Sequence, residues 1–231
     1  MDRIEGLRAY VNTDFYKEGI GIPKELAEET EITYHPLAQG EYNINFWFAH
    51  PVTNQKMVLR VNTGSQMHLE HQIEYEYHVL EILQKSGRTP RPVFVDGSKE
   101  HLPYGVMVME FLEGEALDYR KDLSLAAECL ADIHSVPVMG DEVLISPSNP
   151  LQSILDECNQ MVQTYYDSDL GSEEKKEQIR RLLQAGQKKI DMIKDYDGYR
   201  CCINTELNSR NFLINGEGKP NYLVDWEKPL Y

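Results

Sequence analysis

The chain is 231 residues long, enough for one large core or two small ones, and its 38 acidic residues against 23 basic ones give a formal net charge of −15. That balance excludes a nucleic-acid binder, whose phosphate contacts demand a basic footprint, and no uninterrupted apolar run approaches bilayer-spanning length, so neither nucleic acid nor membrane is an expected partner. The start Met1-Asp2-Arg3-Ile4-Glu5 has no apolar core of a signal peptide, and the cysteines Cys129, Cys158, Cys201 and Cys202 show no metal-ligand spacing, so reduced thiols in a cytoplasmic protein are expected.

In chain order, residues up to about 15 predict an N-terminal helix, and 32–38, 43–48 and 57–61 read as strands. Over 68–83 the residues Leu69, Ile73, Tyr77, Leu80 and Leu83 recur at three- or four-residue steps, the mark of an amphipathic helix. Two further strands follow at 93–95 and 105–111. The second is a nearly unbroken apolar run that closes in acidic residues and Gly114, as a buried strand does when it leaves a sheet. A helix at 122–134 has Leu125, Leu130 and Ile133 on its apolar side and stops at Ser135-Val136-Pro137. After a loop at 147–150, residues 151–166 and 172–194 predict two longer helices, the second with Glu173-Glu174-Lys175-Lys176-Glu177 on a solvated face. The apolar runs 211–214 and 222–224, joined by Asn215-Gly216-Glu217-Gly218, predict a β-hairpin whose open end brings Asn211 and Asp225 together.

The chemistry concentrates near that hairpin. Glu206 and Asn211 have the spacing of the acid and the amide in the kinase catalytic loop H-R-D-L-x-x-x-N, and Asp225 opens an apolar-flanked D-x-x in the place of D-F-G. Phosphoryl transfer asks a protein for a positioned hydroxyl and for divalent cations that hold the phosphates. Magnesium takes hard oxygen ligands and keeps several waters, so the Asp225 carboxylate and the Asn211 amide oxygen are its expected protein ligands. Glu206 would then face the hydroxyl as proton acceptor.

These residues, in this order, resemble the aminoglycoside phosphotransferase and choline kinase-like family of small-molecule kinases, over most of the chain. The resemblance implies an α+β, two-lobed protein-kinase-like fold: a small antiparallel-sheet N-lobe over 1–111, a hinge at about 110–114, and a mainly helical C-lobe over 115–231. Relatives continue into further helices where this chain stops, so the C-lobe is expected to be incomplete. Leu37-Ala38-Gln39-Gly40-Glu41-Tyr42-Asn43 is similar to the family's nucleotide-covering turn, which assigns Gly40 and Asn43 to the nucleotide. Arg60 stands where most kinases carry a phosphate-binding lysine, and its planar fork suits phosphate and carboxylate oxygens alike. Glu76, with Leu80 one turn later, matches the helix glutamate that pairs with it; Glu74 is the alternative. Val106 to Gly114 resembles the hinge strand, which sets Glu110 and Leu112 beside the base.

The implied activity is magnesium-dependent transfer of the terminal phosphoryl group of ATP or GTP to a hydroxyl of a small, cationic molecule, aminoglycoside-like or an amino alcohol. The acidic surplus would concentrate such an acceptor. The alternative is a non-catalytic, pseudokinase-like nucleotide-binding module; a protein kinase is disfavoured because the chain has no G-x-G-x-x-G or A-P-E segment. Two departures bear on the choice. Asn204 stands at the usual histidine, whose loop-organising hydrogen bonds an amide can reproduce in part. Glu206 stands at the usual aspartate, and its extra methylene moves the carboxylate by roughly 1 Å, a misplacement that can cost about a hundredfold in rate. Other residues take plainer readings: His134 as a structural hydrogen-bonding group, His68, His71 and His78 as solvent-facing, and Asn62-Thr63-Gly64-Ser65 as a turn. Nothing in the sequence specifies an oligomeric state.

Overall fold

The apolar runs of β2 (Asn43–Ala49) and β3 (Lys56–Asn62), broken by Asn45 and Arg60, set up a sheet with two different faces. The computed structural model describes residues 4–65, 67–138, 140, 143–193 and 200–231. With β1 (His35–Gln39), β4 (Pro92–Asp96) and β5 (Gly105–Glu110), the strands form a five-stranded antiparallel sheet in the order β1-β2-β3-β5-β4. Phe46, Phe48, Leu59, Val61, Val106 and Val108 line one face and are buried with Leu7, Tyr10, Val11, Tyr16, Ile20 and Ile22 from the N-terminal helices. The opposite face carries Asn45, Arg60 and Met107 in register across three strands.

The N-terminal segment corrects the expected single helix. It breaks into α1 (Leu7–Tyr10), α2 (Asp14–Gly19) and α3 (Lys24–Ala27), because the Thr13 side chain accepts a hydrogen bond from the Tyr16 N–H and starts a new helix there. Tyr10 donates its hydroxyl to Asp96 at 2.7 Å, which pins α1 to the sheet. The next helix, α4 (Gln72–Leu83), begins four residues later than expected: His68 has a left-handed backbone (φ 55°) that helical geometry excludes. Its buried residues are Gln72, Ile73, Tyr75, Glu76, Val79, Leu80 and Leu83, so the inward face is rotated from the expected one, with Tyr77 only half-buried. His68 and His71 are exposed and His78 is half-buried.

Helix α5 (Leu123–His134) buries Ala126, Cys129 and Ile133, and Leu125 and Leu130 are half-buried. The hairpin joins β8 (Phe212–Ile214) to β9 (Tyr222–Leu223), and β6 (Glu115–Ala116), which the sequence did not announce, adds a third strand to it through β8. A short strand β7 (Ile203–Asn204) precedes the hairpin. Residues 1–144 and 201–229 make up one compact unit.

Residues 145–200 with 230–231 form a second unit. It contains α6 (Pro150–Tyr166), capped by the Asn149 side chain, and α7 (Glu173–Ile190), capped by Ser172. The helices run antiparallel, since Gln152 near the start of α6 bonds Gln187 near the end of α7 while Tyr166 bonds Lys176. Among the described residues of these two helices, Leu155 alone is buried. Helix α7 ends at Ile190, short of the expected 194, a position that lies outside the described residues.

Candidate active site

Arg60 is 5% exposed and organises everything around it. Its Nε donates to Asn45 Oδ1 at 3.1 Å on the neighbouring strand, Nη1 donates to Glu76 Oε1 on α4, and Nη2 reaches Asp225 Oδ1 at 3.4 Å. One guanidinium fork therefore ties sheet, helix and C-terminal segment together. The carboxylates of Glu76, Asp225 and Glu227 raise its pKa against the opposing effect of burial, so it stays a cation. Glu74, the alternative partner, meets His71 at 3.4 Å instead.

Glu76 is 1% exposed, and its second oxygen has no hydrogen-bond partner. Burial pushes its carboxyl up to about 7, with the Arg60 guanidinium pulling the other way. A buried carboxylate with one oxygen unpaired is costly unless paired or protonated, which explains the direction.

The C-terminal segment closes a ring of hydrogen bonds. Asn204 Nδ2 donates to the Asp225 carbonyl at 2.8 Å, and Asn204 Oδ1 accepts from the Glu206 N–H at 2.8 Å. Asn211 Nδ2 donates to the Glu206 carbonyl at 2.9 Å, and the Asn211 carbonyl accepts from the Val224 N–H at 2.8 Å, next to Asp225. The three oxygen-bearing residues singled out by spacing thus share one hydrogen-bonded circuit. Asp225 itself sits in the left-handed region (φ 66°), and Trp226 behind it is buried with its ring N–H on the Leu223 carbonyl at 3.0 Å.

Glu227 belongs to the same cluster, and sequence reasoning missed it. Its carboxylate accepts from Asn43 Nδ2, and its carbonyl accepts from Gln72 Nε2 at 2.7 Å. Burial, then the nearby Asp225 carboxylate, raise its pKa; the Asn43 bond and Arg60 oppose, and Glu206 adds to the rise. No strand alternation announces it, because Asp225 has a left-handed backbone and the residues between the two are not extended. Asn45, the third anchor of Arg60, could have been found from its place opposite Arg60 on β2.

Of the other expected residues, Asn43 is buried and held between Asn62 Nδ2 at 3.0 Å and Glu227. Gly40 closes the β1–β2 turn through its N–H to the Asn43 carbonyl at 2.9 Å. Glu110 ends β5, with its N–H on the Arg91 carbonyl at 2.9 Å, and Leu112 follows half-buried. Neither of these last two joins the charged cluster.

The cluster suits a hard cation. Three carboxylates, Glu76, Asp225 and Glu227, act on a single guanidinium, and Glu206 acts on Glu227, which leaves an excess of negative charge. The Asn211 amide nitrogen is committed to the loop, which frees its oxygen. An Asp225 carboxylate with an Asn211 amide oxygen is a donor set that magnesium accepts, because it retains waters for the rest of its shell. Among the described residues no group of three or more His, Cys, Asp or Glu side chains has metal-site geometry. Two surface hollows of about 450 and 420 Å³ lie elsewhere, one around Arg88, Asp132 and Lys219 and one around His71, Tyr75 and Val143. Neither includes Arg60, and charge convergence rather than concavity marks the chemistry here.

The model of the phosphotransferase enzyme family matches residues 33–228, which hold every residue of this cluster. The chain belongs to that family. Three solved structures share its fold. A choline kinase from Cryptosporidium parvum Iowa II matches at a TM-score of 0.64 and 14% identity, over 96% of this chain and 65% of its own. An aminoglycoside phosphotransferase homologue from Ralstonia eutropha JMP134 matches at 0.64 and 17%, over 98% and 65%. A spectinomycin phosphotransferase solved with ADP and spectinomycin matches at 0.57 and 14%, over 86% and 64%. At these identities the likeness establishes the α+β, kinase-like fold alone, and the chain spans less than two thirds of the length of each of these proteins. No curated protein matches the sequence. Among the described residues of this phosphotransferase-family chain, no helix is long and apolar enough to cross a membrane.

Proposed function

We propose that this protein transfers the terminal phosphoryl group of ATP or GTP to a hydroxyl of a small cationic molecule, an aminoglycoside-like compound or an amino alcohol, in the cytoplasm. The observation that carries the reading is the Arg60 fork, shared between Glu76 and Asp225, beside a closed ring that holds Glu206, Asn211 and Asp225 together. In this reading residues 1–111 act as the small lobe over the nucleotide, with Gly40, Asn43, Glu110 and Leu112 lining it, and 115–231 supply the catalytic loop.

Arg60 neutralises phosphate oxygens while Glu76 keeps the guanidinium aimed. Glu206 accepts the acceptor's hydroxyl proton as that oxygen bonds to the terminal phosphorus and the bond to the leaving nucleoside diphosphate breaks. Asp225 and Asn211 would hold magnesium, which would spread the charge of the phosphates. The acidic surplus of the chain favours a cationic acceptor. The names of two structural neighbours, a spectinomycin phosphotransferase and a choline kinase, point to the same classes.

The test is coupled release of ADP or GDP against aminoglycosides, choline and ethanolamine, with Glu206→Gln and Asp225→Asn beside the wild type. Turnover lost in both variants supports the reading. The extra methylene of Glu206 favours a second one, a nucleotide-binding module without turnover. Thermal stabilisation by MgATP or MgGTP with no product from any acceptor would select it, and no stabilisation by either nucleotide would overturn both.

A further inference from the structure

We propose that the hydrogen bond from Asn43 to Glu227 is a clasp that ties the β1–β2 turn down to the segment carrying Asp225. The inference rests on the phosphotransferase reading and deepens it, making Asn43 and Glu227 positioning residues that act on the nucleotide through the turn.

A clasp needs one fixed end, and residue 227 supplies it. Its carbonyl accepts from Gln72 Nε2 at 2.7 Å, and Gln72, a buried residue of α4, is itself held by the Ser65 hydroxyl, which donates to its Oε1 at 2.6 Å. Two residues further on, the Pro229 carbonyl accepts from the buried Tyr75 hydroxyl at 2.9 Å. Ahead of both, Arg60 reaches Asp225. Residues 225, 227 and 229 are therefore all anchored on β3 and α4, and the Glu227 side chain is presented by a backbone that α4 keeps in place.

The other end is the turn between β1 and β2. Gly40 and Glu41 at its tip are exposed, so the bonds at its base are what restrain it. There Gly40 donates its N–H to the Asn43 carbonyl at 2.9 Å, and the Tyr42 carbonyl accepts from the Thr63 N–H at 2.7 Å. Asn43 is 1% exposed, and its Oδ1 accepts from Asn62 Nδ2 at 3.0 Å, which turns Nδ2 toward the Glu227 carboxylate. Its oxygen is taken and its nitrogen faces Glu227, so its service to a nucleotide is indirect. Among the described residues no other hydrogen bond runs from 40–43 to 225–229. A bond to an ionised acceptor is roughly twice as strong as a neutral one, so this single contact governs how firmly the turn is held.

The test exchanges acid and amide across the clasp, with Asn43→Asp, Glu227→Gln and the two together. Asn43→Asp is isosteric and keeps the acceptor for Asn62, but it sets a carboxylate against Glu227 and opens the clasp. Nucleotide Kd from titrated thermal shifts, and nucleotide KM, should rise about tenfold, the loss falling on KM and not on kcat. Asn43→Ala, in which no proton can be shared between two acids, should weaken binding as far. Glu227→Gln keeps an oxygen for Asn43 and should cost less. In the exchanged pair the amide of residue 227 donates to the carboxylate of residue 43, so affinity should return to within about threefold of Glu227→Gln alone. A pair that binds no tighter than Asn43→Asp overturns the proposal. So does Glu227→Gln as weak as Asn43→Asp, because the Glu227 charge itself would then be what counts, as for a metal ligand.

Amide hydrogen exchange supplies a readout that needs no turnover. The Gly40 N–H should exchange faster in Asn43→Asp and slow again in the exchanged pair. If neither MgATP nor MgGTP stabilises the wild type, the phosphotransferase reading fails on its own and these exchange rates decide the clasp. The same order of variants supports it, and equal rates in all of them overturn it.

Discussion

The two units of this chain solve the problem of holding polar groups in opposite ways. In the unit of residues 1–144 and 201–229, Arg60, Glu76, Asn43, Asn204 and Asn211 are all buried; Arg60 with Glu76, Asn43 with Glu227 and Asn204 with Asp225 are joined across the sequence, and Asn211 holds the nearby Glu206 carbonyl. In the unit of 145–200 and 230–231, the Gln152–Gln187 bond joins the two helices and the rest are local devices: the Asn149 and Ser172 caps and the Glu177 pairs with Arg180 and Arg181. The difference teaches where chemistry can be sited. Precise charge placement needs side chains whose rotamers are fixed by packing, and capped, solvated helices do not supply it.

The largest expected effect attacks the first unit at its centre. Arg60→Ala strands Glu76 in the interior and should lower stability by about 3–5 kcal/mol in urea denaturation, the cost of breaking a buried ion pair from one side. A loss below about 1 kcal/mol, as for an exposed pair, would mean the fork does not organise that unit.

Next comes packing. Leu59→Ala, at a fully buried position of the sheet, should cost about 2–5 kcal/mol. Leu155→Ala should fall at or below about 2 kcal/mol, because exposed neighbours such as Leu151 and Ile154 can close over the space. Equal losses would erase the contrast between the units.

A smaller effect is one of pH. The folded pKa of Glu76, about 7, lies above its ordinary 4.5, so the native state binds the extra proton in that window. The stability it contributes is fully present below the ordinary value and is lost as pH rises through the folded one. Glu76→Gln should therefore flatten the fall in unfolding free energy between about pH 5 and about pH 8, leaving the part due to Glu227, which shifts the same way. An unchanged or steeper slope would contradict the assignment.

The smallest effect belongs to the helix pair. Asn149→Ala removes the hydrogen bond to the Gln152 N–H and should cost about 1 kcal/mol, seen as faster amide exchange in the first turn of α6 with no change in nucleotide-induced stabilisation.

Much of this was legible in the sequence. The strands of the sheet, α4, α5 and the hairpin declared themselves through periodicity, and Glu206, Asn211 and Asp225 through spacing. What was not legible depended on tertiary partners. Glu76 was expected to meet Arg60, but the apolar pattern of α4 did not show that the inward face turns with it to bury Gln72, Tyr75 and Val79 and leave Tyr77 half-buried. The short β6 owes its existence to β8, a strand almost a hundred residues away. Glu227 carries no motif of its own, and its role in the cluster comes from Asn43 and Gln72 reaching it across the fold.

The left-handed backbone at Asp225 has an evolutionary corollary. Only glycine, asparagine and aspartate enter that region with ease, and both alternatives lie one base change from an aspartate codon. A mutation that would silence the proposed site while sparing the fold is therefore close at hand in the genetic code, and, on the proposed reading, descendants that keep the architecture without phosphoryl transfer should carry asparagine or glycine at 225 more often than any other residue.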